Sequence, residues 1–329
     1  MVGANPPDHV GGAHPLTGWT ARPARCYLSR VSTSHLEAGP VERTVLADLG
    51  PTFRQRSIAP SAGSAGCTLR VLEGGSGPPL VLLHGRGGAA SVWFPLLPHL
   101  ARTHRVLAVD LPGFGASRGA RFHGGGVEAA LAFFVDPVEA WLAAEGIAAP
   151  VLVGHSLGGL VAIELSLRRR VAPAALALIG SMGVGPAMTH VSRLFFRAGP
   201  ERLTRALGPR GLARLVPPPP GPDSARLAAL TGEISAVPLG YPDAAAAFDA
   251  LVPLTGPVPH RGARLHEIEV PALVFWGDHD EVFPAPLAIA AAAELPRSVL
   301  RIEPGGHSPH HEDPARALAI LDAFLSGKT

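Results

Sequence analysis

Lysine is almost missing from this chain: among 28 basic residues, Lys328 is the one lysine and the rest are arginine. With 26 acidic residues the net charge is only +2, so no basic excess marks a nucleic-acid surface. The densest basic run, Arg168-Arg169-Arg170, reads as the solvated end of a helix, where cations favour the helix dipole. Two cysteines, Cys26 and Cys67, are too few for a disulfide scaffold and have no metal-ligand spacing. No apolar run reaches the roughly 18 residues needed to cross a bilayer. The start, Met1 to Val10, lacks the basic head and apolar stretch of a signal peptide. The expectation is a cytoplasmic protein with no nucleic-acid partner and no membrane span, its oligomeric state left open.

What is plentiful is glycine, at 39 residues, and proline, at 35, which imply many loops in a chain that is 47% hydrophobic. A chain of 329 residues can bury a large core, either as one domain or as one domain with an insertion. Residues 1–50 lack clean periodicity and read as an N-terminal extension, partly disordered, with one short element near Leu36 to Leu49. From Phe53 the pattern changes. Phe53–Ile58 and Cys67–Leu72 alternate as two strands of an antiparallel hairpin. Leu80–Leu83, Arg105–Asp110, Val151–Val153 and Ala174–Ile179 are short apolar runs suited to strands covered on both faces. Helical patterns separate them: Val92, Leu96 and Leu100 share one face, and Val127 to Ala144 forms a second helix, interrupted or kinked near Pro137. Strand and helix in alternation indicate a mainly parallel, doubly wound sheet.

After Gly183 the rhythm breaks. More than eighty residues carry helical candidates, divided by Pro217-Pro218-Pro219-Pro220, and no buried strand. A structureless loop of that length is improbable, so residues 184–265 read as an inserted helical cap above the carboxyl ends of the strands. Residues 51–183 and 266–329 form the core, the sheet resuming at Pro271–Trp276 and Ser298–Ile302 and closing with a helix over Pro314–Leu325.

The chemistry is concentrated at Gly154-His155-Ser156-Leu157-Gly158, which matches Gly-x-Ser-x-Gly at the end of an apolar strand and the start of a helical pattern. A strand that turns into a helix within one residue strains the serine backbone, and Gly154 and Gly158 keep the flanks small. Serine alone is a poor nucleophile and needs a base and a group to orient it. Gly277-Asp278-His279-Asp280 offers two carboxylates just beyond one late strand, and Gly305-Gly306-His307 offers an imidazole just beyond the next. His310 and His311 are rivals to His307, and a metal cluster of these three histidines is the competing idea, with no comparable cysteine or carboxylate spacing to support it. Asp110 ends a strand and fixes the Pro112-Gly113 loop by hydrogen bonds; His155, directed away from the nucleophile, reads as packing or as support behind the site.

Five motifs in order now carry a resemblance: His84-Gly85, Asp110-Leu111-Pro112-Gly113-Phe114-Gly115-Ala116-Ser117, Gly154 to Gly158, Gly277 to Asp280, and Gly306-His307 with Glu312-Asp313-Pro314. Over residues 53–325 the chain resembles an alpha/beta-hydrolase of the capped serine esterase and carbon-carbon-bond hydrolase branch. The resemblance implies an alpha/beta-hydrolase fold, a mainly parallel sheet with an N-terminal antiparallel hairpin and an inserted helical cap. It selects Asp280 as the acid of a Ser156, Asp280, His307 triad, and makes Asp278 a loop residue. The oxyanion would be held by the backbone N–H groups of Leu157 and Arg86, with His84 and Gly85 supporting that loop. The Arg86 side chain faces solvent or meets an acidic substrate group, solvent being the simpler reading.

The expected function is cleavage of a small to medium apolar carboxylic ester through an acyl-enzyme, with no cofactor and no metal. Cap residues such as Phe195, Phe196, Leu207, Phe248 and Leu251 supply both the cap core and an apolar pocket. A carbon-carbon-bond hydrolase of a diketone acid, a lactonase and a thioesterase use the same triad. A non-catalytic ligand-binding protein on the same fold is the alternative of a different class.

Overall fold

The computed structural model describes residues 38–60, 66–215, 220–236 and 241–327. The expectation of disorder is thus outside the described residues for 1–37, as are Cys26, Lys328 and the prolines at 217–219. The short element expected near Leu36 to Leu49 is helix α1, Pro40–Asp48.

Eight strands follow: β1 Phe53–Ile58, β2 Leu69–Gly74, β3 Pro79–Leu83, β4 Arg105–Val109, β5 Val151–His155, β6 Ala175–Ile179, β7 Ala272–Gly277 and β8 Ser298–Glu303. They form one sheet in the order β1-β2-β4-β3-β5-β6-β7-β8. The β1–β2 hairpin is antiparallel, β2 also runs antiparallel to β4, and every other pairing is parallel. Alternate residues of the central strands feed two cores. Val81, Leu83, Leu107 and Leu152 face one, and Leu80, Leu82, Val106 and Val153 the other. Burial on both faces is why these strands read as unbroken apolar runs.

The helices between them are α2 Leu97–Leu100, α3 Gly126–Ala144, α4 Leu157–Arg168, α9 Pro286–Glu294, α10 Pro309–Glu312 and α11 Pro314–Leu325. Helices α5 His190–Ala198, α6 Pro200–Leu215, α7 Ser224–Ala236 and α8 Tyr241–Leu251 are inserted between β6 and β7 and form a cap. Two sequence expectations change. The helix spanning Val92 to Leu100 is instead a 3-10 turn, Ala90–Trp93, and then the single turn α2. Pro95 and Pro98 lack the amide donors a continuous helix needs, and Pro98 sits in the first turn of α2, where that donor has no intrahelical partner anyway. Helix α3, by contrast, runs unbroken through Pro137. In the cap, α6 is kinked at Gly208, which adopts φ 69° and ψ 166° ahead of Pro209.

Beneath the β4 loop lies a buried charge group. Arg70 of β2 makes a two-point ion pair with Asp110, at 2.6 and 2.9 Å, and a third contact to Glu42 of α1 at 2.6 Å. All three side chains are buried. Glu42 also accepts from Ser91 Oγ at 2.6 Å. Helix α1 is itself held by the cap: the N–H groups of Val41 and Glu42 donate to the Glu233 carboxylate of α7 at 2.9 and 2.8 Å, a negative charge on a helix N-terminus.

Candidate active site

Because β3 to β8 run in parallel, the loops following β3, β4, β5, β6, β7 and β8 leave the same edge of the sheet, where an open α/β sheet gathers its functional groups. Ser156 is the residue between β5 and α4. It has φ 52° and ψ −117°, a left-handed conformation that costs a non-glycine residue about 1–3 kcal/mol. Hydrogen bonds hold the bend. The Ser156 N–H donates to Ile179 O at 3.1 Å, and its carbonyl accepts from Gly159 and Met182, each at 3.0 Å. The neighbouring glycines are required by space. A Cβ at Gly154 would come within 2.6 Å of Gly159 Cα, and one at Gly158 would strike the Leu83 carbonyl.

The loop after β7 points Asp280, not Asp278, at His307. His307 Nδ1 lies 3.1 and 3.0 Å from the two Asp280 oxygens. Asp280 Oδ1 is fixed in turn by the N–H groups of Val282 and Phe283, at 2.8 and 2.9 Å. Asp278 turns outward and accepts from Gly305 N–H at 3.0 Å, a bond that lowers its pKa. With Nδ1–H donated to a carboxylate, the Nε2 of neutral His307 carries the lone pair. Gly180, next after β6, joins the two halves of the site. A Cβ there would lie 3.2 Å from His307 Nδ1 and 3.4 Å from Asp280 Oδ2, while its neighbour Ile179 accepts from Ser156. The described hydrogen bonds link Asp280 to His307 and include none from Ser156 Oγ to His307.

The β3 loop presses on the serine from the other side: a Cβ at Gly85 would sit 3.2 Å from Ser156 Cβ. Leu157 is the first residue of α4, where a backbone N–H has no intrahelical acceptor. His84 ties the β3 and β4 loops together. Leu111 N–H donates to its Nε2 at 2.9 Å, so the ring proton is on Nδ1 and is given to Gly85 O at 2.6 Å. Burial, with Arg70 adding to it, lowers the His84 pKa in keeping with that neutral form. Asp110 accepts from Ala90 N–H and Ala116 N–H, each at 2.6 Å, in addition to Arg70.

Three features were not foreseen from the sequence. The Arg86 guanidinium does not simply face solvent; it lies 5.4 Å from the Phe196 ring and 5.1 Å from the Phe248 ring, between α5 and α8 of the cap. Arg70 and Glu42, which complete the group around Asp110, gave no local signal. The histidines also form a packed stack. His155 lies 4.9 Å from His307 and 4.6 Å from His310, ring centre to ring centre, and His310 lies 3.9 Å from His311 and 4.9 Å from Trp93. Burial holds His155 and His310 well below the usual imidazole range and pushes His311 down to about 4. His310 is fully buried, and neither ring nitrogen has a hydrogen-bond partner among the described residues. The clustering of three histidines in 307–311 was visible; the long-range packing onto His155 and Trp93 was not.

Comparison with known proteins agrees with this fold. The model of the alpha/beta hydrolase family matches residues 80–320. An uncharacterized protein of Mycobacterium tuberculosis is 30% identical over 305 residues, covering 83% of this chain and 86% of its own. Among solved structures, a bacterial membrane phospholipase A superposes with a TM-score of 0.70 at 27% identity, covering 87% of this chain and 92% of that one. An esterase from Rhodococcus superposes with a TM-score of 0.62 at 28% identity, covering 84% and 98%.

Proposed function

The chain belongs to the alpha/beta hydrolase family, and from that premise we propose that it is a serine hydrolase cleaving small to medium apolar carboxylic esters through an acyl-enzyme. The observation that carries the reading is the Asp280–His307 pair, standing at the same sheet edge as a serine bent into the left-handed region. In this reading His307 Nε2 takes the Ser156 hydroxyl proton as the oxygen attacks the acyl carbon. Asp280 holds the imidazole tautomer and stabilises its cation. The N–H groups of Leu157 and Arg86 receive the negative charge that develops on the acyl oxygen. His307 then returns the proton to the leaving alcohol, and a water activated by the same ring releases the acid. A Ser156–His307 hydrogen bond that is open without substrate and tightens in the Michaelis complex is common for such pairs.

Residues 184–265 are the proposed cap and residues 51–183 with 266–329 the proposed catalytic core. Cleavage of an acidic diketone would call on Arg86 to bind a carboxylate, but two phenyl rings already flank its guanidinium; the neutral ester is therefore the favoured substrate class. Fluorophosphonate labelling and p-nitrophenyl butyrate turnover test the reading. The wild type is expected to label and turn over, with Ser156→Ala unlabelled and slower by roughly 10⁴-fold or more. A folded wild type that neither labels nor turns over any ester, thioester or lactone would point to a binding protein instead.

A further inference from the structure

Helix α5 is amphipathic with its sides reversed. Val191 is 78% exposed and Leu194 63%, and Ala198 two turns along from Val191 is exposed too, so positions i, i+3 and i+7 set an apolar stripe outward. The polar side is turned in: Ser192 and Arg193 are buried. Thr189 Oγ1 and Ser192 Oγ both approach the Glu281 carbonyl, at 2.6 and 3.1 Å, and Arg193 donates to the carbonyls of Met188 and Pro253 at 3.2 and 2.6 Å. Rolling the helix to hide Val191 and Leu194 would break these bonds and leave buried polar groups unsatisfied. The outward stripe is therefore fixed by the fold. Leu207 of α6 is half exposed as well.

Arginines outnumber acids along α5 and α6. In the sequence of residues 190–215, Glu201 is the one acid beside six arginines, of which Arg197, Arg202 and Arg214 are exposed. Arg197 lies 3.6 Å from Asp249 of α8; the exposed Arg202 and Arg214 of α6 add positive charge. Apolar side chains flanked by arginines match the boundary of an anionic bilayer, where alkyl groups enter below the headgroups and guanidinium groups meet phosphate. A second copy of the chain fits less well, because a two-fold contact over this face would bring the same arginine-rich surface against itself.

We propose that the outer face of α5, with the arginines of α5 and α6, seats the protein on an anionic lipid surface. Nine residues are too few to span a bilayer, so the helix lies in the interface plane. The seat is one helix away from the candidate active site. The Phe196 ring of α5 flanks Arg86, and the Glu281 carbonyl that holds Thr189 and Ser192 adjoins Asp280.

Flotation of the full chain with phosphatidylcholine vesicles, with and without phosphatidylglycerol, tests this without reference to turnover. Binding is expected only with phosphatidylglycerol present and should weaken as salt is raised. Val191→Glu with Leu194→Glu should lower partitioning at least about tenfold, and Arg202→Gln with Arg214→Gln roughly tenfold. Both double variants should keep the wild-type Tm and turnover of a soluble ester; Val191→Ser with Leu194→Ser serves if the glutamates disturb folding. Wild-type protein that does not float, or that floats as well after the α5 substitutions, overturns the proposal. So does a wild-type dimer that becomes monomeric on Val191→Glu with Leu194→Glu and binds no vesicle.

Discussion

His155 Nε2 lies 3.0 Å from the carbonyl oxygen of His307, so the residue just before the bent serine anchors the backbone of the residue proposed as its base. The neutral His155 ring donates its Nε2 proton to that carbonyl. His155→Phe keeps the ring volume and removes the donor. It is expected to lower kcat for p-nitrophenyl butyrate about 5- to 20-fold with KM changed less than about twofold, the effect of one lost positioning bond. His155→Gln, which retains a donor, should recover part of the loss. Equal losses in the two variants would reduce His155 to packing.

Acid should unfold this protein through its histidine stack. His155, His310 and His311 have folded pKa values below the usual 6.5, His311 at about 4, so they remain neutral while the unfolded chain takes up protons. Their stabilisation is complete above about pH 6.5 and is lost as pH falls, toward 4 for His311 and well below the usual imidazole range for the other two. Thermal unfolding at pH 7 and pH 5 reads this as a fall in Tm. His310→Leu replaces a buried ring with two unsatisfied nitrogens, so Tm at pH 7 should hold or rise and the fall to pH 5 should shrink. An unchanged acid dependence would remove His310 from the account.

Asp110→Ala should be among the most damaging single changes. It strands the Arg70 charge in the interior with Glu42 as its remaining carboxylate among the described residues, and frees the Ala90 and Ala116 amides. The expected cost is about 3–5 kcal/mol, measured by urea unfolding at pH 7. A loss below about 1 kcal/mol would mean the Arg70 group is solvated in solution.

Arg86→Ala removes the contact between the β3 loop and both cap rings. The expected result is a drop in kcat/KM of roughly tenfold, similar for neutral and acidic esters of one size. Arg86→Lys should restore little, since an ammonium lacks the planar stacking surface. Loss confined to acidic substrates would instead assign Arg86 to a carboxylate and favour the diketone-acid chemistry.

Most of the sheet was legible because its constraints are local. Leu80 to Leu83 and Val151 to Val153 are apolar on both faces, and Gly154 and Gly158 flank Ser156 because their contacts leave no space for a side chain. Strand ends at one edge offered His307 and two carboxylates, Asp278 and Asp280; it was the family resemblance that selected Asp280, the one that the structure sets against His307. The rest depends on partners far apart in sequence. Nothing near Arg70 announces Glu42 or Asp110. The pattern of α5 gives its apolar stripe but not its direction, which is decided by where the carbonyls of Met188, Pro253 and Glu281 happen to stand. Arg86 is likewise placed by rings from two later helices.

The carboxylate of Glu233 grips the first amides of α1, and α1 in turn delivers Glu42 to Arg70. The stretch ahead of the sheet is thus a brace between the inserted helices and the charge beneath the Asp110 loop. A shortened chain starting at residue 51 would lose a counter-ion from its interior and a clasp from α7 in one cut. Its weakness would then surface at both ends of that brace rather than at the trimmed terminus.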